Sequence, residues 1–177
     1  MENPQVEIER AMQILMRAAS PDIQQAAIRK YFTNNAGFRH PMYSVMPAHN
    51  SREGIIAILQ WYRVLSGRIE LSVDNITYDA EKSIIFLDMT HVFHVRYSPF
   101  SPARTRLLTR LTLHKEGGRY YISYQEDFFH PDEFIGLIVP PLSKPVGLLL
   151  RFGGFACGLS ARLAQAAFGI WSPRRDN

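Results

Sequence analysis

A histidine and a pair of adjacent acids stand where a buried pocket would put them to use. Over residues 83–97 the odd positions are Ile85, Leu87, Met89, His91, Phe93, Val95 and Tyr97, and the even ones include Asp88, Thr90, His94 and Arg96. Side chains on a strand alternate between faces, so His91 is the one ionisable group on an apolar face. Burial disfavours the charged ring and leaves a neutral imidazole able to accept a proton. The plainer reading is a core histidine satisfied by a backbone carbonyl or a tyrosine. Glu126 and Asp127 are neighbours on a later strand, and only one of them can face inward. Simple alternation favours Glu126, which shares a face with Tyr120, Ile122, Tyr124 and Phe128. A carboxyl in an apolar pocket titrates high and works as a general acid or base. The same acid at the sheet rim would only pair with an arginine. Met89, Phe93 and Leu107 offer apolar wall. Tyr62 and Tyr124, with Tyr31 and Tyr43, are candidate donors to a ligand oxygen, and His40 precedes Pro41 near the expected pocket mouth.

The elements that must position these groups follow from periodicity. Residues 5–19 carry Ile8, Ala11, Met12, Leu15 and Ala18 on one helical stripe. Ser20-Pro21-Asp22 reads as a cap, a first-turn proline and a first-turn acid of a second helix reaching about Phe32. The segment 34–37 breaks it, and 38–41 is expected as an extended loop. Asn50 with Glu53 forms a capping-box pattern before a third helix ended by Gly67. From Arg68 the period falls to two. Four strands are expected, at 69–79, 83–97, 104–115 and 119–129, with a tight turn at 116–118 and a proline-bearing connection at 98–102. A short helix opens near His130 and stops at Pro140-Pro141. Three helices, then an antiparallel meander, then a helix make an α+β fold: a curved sheet over helices enclosing a conical interior.

Taken together, Phe38-Arg39-His40-Pro41, the helix at 51–66 and the strand from Arg119 to Phe129 resemble the nuclear transport factor 2-like (NTF2-like) superfamily, SnoaL-like in the broad sense. Within it the likeness is to fungal SigF-like proteins, over roughly residues 5–139. The resemblance implies a cone-shaped fold with a pocket between sheet and helices. It implies no single activity, because members include isomerases, dehydratases, epoxide hydrolases, cyclases and non-catalytic binding proteins. It also favours Asp127 over Glu126 as the pocket acid. A β-bulge would reconcile that with the alternation, since one extra residue flips the faces.

No nucleotide loop, nucleophile elbow or zinc-protease motif is present, so cofactor-free chemistry is the expectation. His91 and His94 lie three apart on a strand and point to opposite faces, so they cannot chelate one metal together. The single cysteine, Cys157, excludes an internal disulfide and suits a reducing compartment. It is either an acylation site or a small apolar filler. The polar start of the chain is not a secretory signal.

Net charge is +4, yet residues 1–133 hold 15 basic and 15 acidic residues. The excess lies in 134–177, where Lys144, Arg151, Arg162, Arg174 and Arg175 face one acid, Asp176. The row Arg104, Arg106 and Arg110 lacks interleaved aromatics, which argues against nucleic acid. It is expected to pair across a homodimer formed through the outer sheet face, or to lie on a membrane. Within residues 145–171 the longest charge-free run is ten residues, 152–161, well short of the ~20 of a span. Arg151 and Arg162 fall about 20° apart around a helix, and Trp171 and Arg174-Arg175 end the run. The expectation is a pocket domain at 1–139 and a tail at 140–177. The tail would hold a membrane surface through residues 144–175, as one in-plane helix or as two broken at Gly153-Gly154. Self-packing of the tail is the alternative. The place implied is the cytoplasmic face of an endomembrane, or else the cytosol. The function implied is binding of a hydrophobic small molecule (lipid, sterol, terpenoid or polyketide-like), with acid–base isomerisation, dehydration or cyclisation. The other reading is a non-catalytic dimeric scaffold docked by its tail.

Overall fold

The computed structural model describes residues 1–172. Helices α1 (Pro4–Arg17) and α2 (Pro21–Tyr31) open the chain. Ser20 caps α2, its Oγ accepting the Ile23 N–H at 3.3 Å, as the Ser-Pro-Asp signal predicts. Their apolar stripes, with Ile8, Leu15 and Ile28, are buried against the sheet.

Segment 34–37 does not end in a loop. The chain passes directly from α2 into β1 (Phe32–His40) and, after a short turn, β2 (Tyr43–Val45). Ala36, Phe38 and His40 alternate inward and are buried, which is the strand signal beneath the polar Asn34-Asn35. Those two asparagines mark an irregularity in the ladder between Phe32 and Gly37 rather than a stop. Gly37 has a specific reason to lack a side chain: a Cβ there would collide with the Tyr124 ring and Pro47. Helix α3 (Arg52–Leu65) follows. The expected capping box does not form. Asn50 takes a left-handed φ of 59°, Ser51 Oγ donates to the Ala36 carbonyl at 2.7 Å, and Glu53 pairs with Arg29 at 3.2 Å.

Strands β3 (Ser66–Asp79), β4 (Ile84–Val95), β5 (Arg104–Glu116) and β6 (Arg119–Phe128) form the meander. Gly117 and Gly118 both have positive φ, which the two-residue turn from β5 to β6 requires and glycine supplies without strain. The sheet order is β2-β1-β6-β5-β4-β3. It is mixed rather than wholly antiparallel, because β1 runs parallel to β6. Ladder irregularities in β3 and β6 help bend it. Odd positions of β4 and β5, among them Ile85, Leu87, Met89, Leu107 and Leu111, are buried on the inner face, as the alternation predicts.

Helix α4 (Pro131–Ile138) closes the wide end, and a 3₁₀ turn (Pro140–Leu142) leads to α5 (Ser143–Phe168). α5 is one continuous helix, unbroken at Gly153-Gly154, and none of its residues is buried. It touches the rest of the molecule chiefly through α4 and the 3₁₀ turn. Arg174 and Arg175 lie outside the described residues.

Candidate functional site

A cavity of about 360 Å³ lies between the inner face of the sheet and helices α1, α3 and α4. Its wall is almost entirely apolar. Met12 and Met16 come from α1, Leu59 from α3, Met89 and Phe93 from β4, Leu107 from β5 and Phe134 from α4. The polar groups that reach it are few: Asp127, His91, His40, Tyr43 and Tyr62.

Asp127 reaches the cavity because of one extra residue. Thr112 pairs with Tyr124 and Leu113 with Ile122, so Ser123 is left unopposed on β6. The bulge is tied down by Ser123 Oγ donating to the Thr112 carbonyl at 3.0 Å. Ile122 faces in before it, and Gln125 and Asp127 face in after it, so the parity is reversed. Asp127 Oδ1 accepts from Thr109 Oγ1 at 2.7 Å and from Gln125 Nε2 at 3.0 Å. Burial pushes its pKa up to about 6, and those two donors hold it from rising further.

The tyrosines form a polarised pair. Tyr43 Oη and Tyr62 Oη share one hydrogen bond, which leaves one of the two phenol protons free for a ligand. Burial raises Tyr43 to about 12 and Tyr62 well above the usual phenol range, so both remain protonated donors. His40 stacks on Tyr43 with ring centres 4.5 Å apart and meets Phe129 and Phe134 edge-on at 5.4 Å. Its Nδ1 accepts the Met42 N–H at 3.3 Å, which in the neutral ring places the proton on Nε2. Burial lowers His40 to about 4. His91 is likewise lowered to about 4 by burial, and its Nε2 has no hydrogen-bond partner among the described residues. An orphaned ring nitrogen at a cavity wall is a costly feature, relieved when a ligand or water supplies the partner.

His91 and Asp127 are not neighbours. His91 lies opposite Thr105 and Asp127 opposite Thr109, so two strand spacings and four residues separate their backbones, on the order of 15 Å. They address the same cavity from different parts of its wall, and no hydrogen bond joins their side chains. Among the other expected residues, His40, Tyr62, Met89, Phe93 and Leu107 line the cavity. Glu126 and Tyr124 do not. Glu126 is on the outer face, paired with Arg110 at 2.5 Å, and Tyr124 covers Gly37. Arg106 likewise pairs with Asp88, so two of the three row arginines are satisfied within this chain rather than across a dimer. His94 pairs with Glu70 at 2.9 Å on the same outer side. Cys157 is exposed on α5 and fills no core. Among the described residues no cluster of three or more histidine, cysteine or acidic side chains is placed to hold a metal ion.

The chain matches one family model over residues 1–170, described as the SigF NTF2-like domain. The chain belongs to that family. Solved structures agree on the fold. An NTF2-like protein of unknown function from Burkholderia pseudomallei superposes with a TM-score of 0.59 at 15% identity, covering 78% of this chain and 99% of its own. A protein of ketosteroid isomerase-like fold from Catenulispora acidiphila, in complex with trimethylamine, gives 0.58 at 13% identity, covering 74% and 91%. A protein from Jannaschia described as a SnoaL-like polyketide cyclase gives 0.56 at 14% identity, covering 76% and 92%. At such identities the likeness shows the fold alone. A search of curated proteins found no match.

Sequence reasoning missed the partners of Asp127. Thr109 was on the inward face by alternation, but Gln125 was hidden by the same parity error that favoured Glu126. Phe134, Leu137 and Ile138 were legible as an apolar stripe at helical spacing, yet nothing local says that the stripe closes a cavity.

Proposed function

We propose that the chain binds an apolar small molecule of lipid, sterol, terpenoid or polyketide type and moves a proton on it without a cofactor. The net reaction would be an isomerisation, dehydration or cyclisation. The single observation that supports this reading is a carboxyl with a pKa near 6 inside an apolar cavity. Near neutral pH the Asp127 carboxylate takes a proton from the ligand and returns it at another atom. The Tyr43–Tyr62 pair donates its free phenol proton to the ligand oxygen on which negative charge develops. Neutral His91, at a separate part of the wall, holds a second polar group of the ligand. Pocket residues 1–139 act as one domain, and tail residues 140–177 dock it on the cytoplasmic face of an endomembrane. The exposed apolar surface of α5, with Lys144 and Arg151 and Arg162 on one side, supports that docking. The helix is also long and apolar enough to cross a membrane by length and composition. The two arginines on one side favour the in-plane arrangement.

The test is mass spectrometry of protein purified in mild detergent. An apolar small molecule should accompany the wild type and be lost from Leu107→Trp, which fills the cavity. A wild type that carries no such molecule and takes none up from a lipid extract overturns the reading. Flotation with anionic vesicles that survives Phe152→Asp with Phe155→Asp overturns the docking.

A second reading, a dimeric scaffold without catalysis, is supported by Phe86, Leu108 and Phe128, which are exposed on the outer sheet face. Sedimentation of the wild type against Leu108→Glu separates the two: a dimer lost in the variant, with no ligand in either, favours the scaffold.

A further inference from the structure

The cavity mouth is not ringed by the polar residues that usually border an opening to water. Met42, Trp61, Leu65 and Ile138 all line the cavity, and all are exposed at their outer side, Met42 by 64% and Trp61 by 53%. They come from the β1–β2 turn, the last turn of α3 and the end of α4, so three separate elements meet at one apolar rim. Met46, just after β2, and Leu142, four residues after Ile138, are exposed as well. Soluble surfaces rarely leave such contiguous apolar area uncovered without a partner. Leu142 is also the last residue of the 3₁₀ turn that feeds α5, so the rim runs into the exposed apolar tail helix without a linker. From Pro140 to Ser172 the chain has no acidic residue and three basic ones, a charge suited to anionic lipid headgroups.

We propose that this rim is a port set into the lipid surface: the cavity opens into the same bilayer that holds α5, and its ligand enters from the hydrocarbon rather than from water. The proposal rests on the docking of α5 stated above and adds an orientation to it. An apolar ligand is concentrated in the bilayer by about 0.8 kcal/mol for each CH₂ it buries there. A port placed against the bilayer therefore meets the ligand where it is abundant and spares it a passage through water. Trp61 is suited to the boundary, since tryptophan favours the headgroup level. α4 ties port to anchor, because Phe134, Leu137 and Ile138 wall the cavity while α4 itself packs on α5.

The chain's two tryptophans, Trp61 at the rim and Trp171 beyond α5, permit a direct test in the full-length protein. Vesicles of phosphatidylserine and phosphatidylcholine brominated on the upper acyl carbons quench indoles seated at the boundary between headgroups and chains, and leave indoles in water unquenched. The cavity, at about 360 Å³, is too small to extract such a two-chain lipid, so quenching reports insertion. In Trp171→Phe, Trp61 should lose most of its emission, and Met42→Glu added to that variant should restore it while flotation persists. In Trp61→Phe, Trp171 should be quenched if the tail is docked. Quenching of Trp171 without quenching of Trp61 overturns the port and leaves the docking standing. Quenching of neither, with no flotation, overturns both. Rim burial by a second copy of the chain would appear as Trp61 emission that vesicles leave unchanged, which also overturns the port.

Discussion

Strand β6 presents two carboxylates in succession, and its two faces give them opposite fates. On the inner face Asp127 is enclosed, receives hydrogen bonds from Thr109 and Gln125, and is pushed toward the neutral form. On the outer face Glu126 meets Arg110 in an ion pair at 2.5 Å. One acid has been given hydrogen-bond donors without a countercharge, and the other a countercharge beside water. The first arrangement makes a titrating group near neutral pH, and the second makes a partly buried ion pair on the outer face that salt screens in part. The difference teaches that the side of the sheet, more than the residue type, decides what an acid can do here.

The comparison is broken most easily in the apolar residues. Leu111, buried on the inner face, should cost about 2–5 kcal/mol when cut to alanine, against under about 1 kcal/mol for exposed Leu108 outside. Equal losses in urea unfolding would mean that the two faces do not differ as described. Next comes Asp127→Asn. A carboxyl whose folded pKa lies near 6, above its unfolded value near 4, binds more protons folded than unfolded between those pH values. It therefore destabilises the fold progressively as pH rises through that window, and leaves it unaffected below it. The asparagine variant should match the wild type below about pH 4 and exceed it by roughly 3 kcal/mol above pH 6, read from unfolding curves across pH. A pH-independent difference would show that Asp127 is not the raised acid. Gly37→Ala should cost about 1–3 kcal/mol, and part of that should be recovered by adding Tyr124→Ala, because the tighter of its two collisions is with that ring and the other is with Pro47. The smallest effect is Glu126→Gln, about 0–1 kcal/mol and fading in high salt. A larger, salt-insensitive loss would place Glu126 in the interior.

Much of the fold was legible because its signals are local. The alternation in β4 and β5 named the inner face residue by residue, and with it His91, Met89, Phe93 and Leu107. The Ser20 cap and the glycine turn at 117–118 were read from their chemistry. Three features were not legible, each for a physical reason. β1 looked like a break because two asparagines sit at its irregular stretch, although Ala36, Phe38 and His40 keep the period. The Gly153-Gly154 pair looked like a kink, but glycine costs a helix only about 1 kcal/mol each, and α5 continues through it. The pocket acid was misassigned by alternation because a bulge leaves no mark in composition: Ser123 is an ordinary strand residue until its ladder partners are known.

That bulge makes the acidity of the cavity a matter of arithmetic on the chain. Pairing β6 without the bulge at its present length would bring Glu126 opposite Thr109, turn Asp127 outward and strand Arg110 without its partner, with every functional side chain still present; removing Ser123 as well would return Asp127 to the ligand. Loss or gain of a bulge in this short stretch without a change of length is thus a route by which related chains can change chemistry while altering no functional residue, and an alignment that simply matched acid with acid would overlook it.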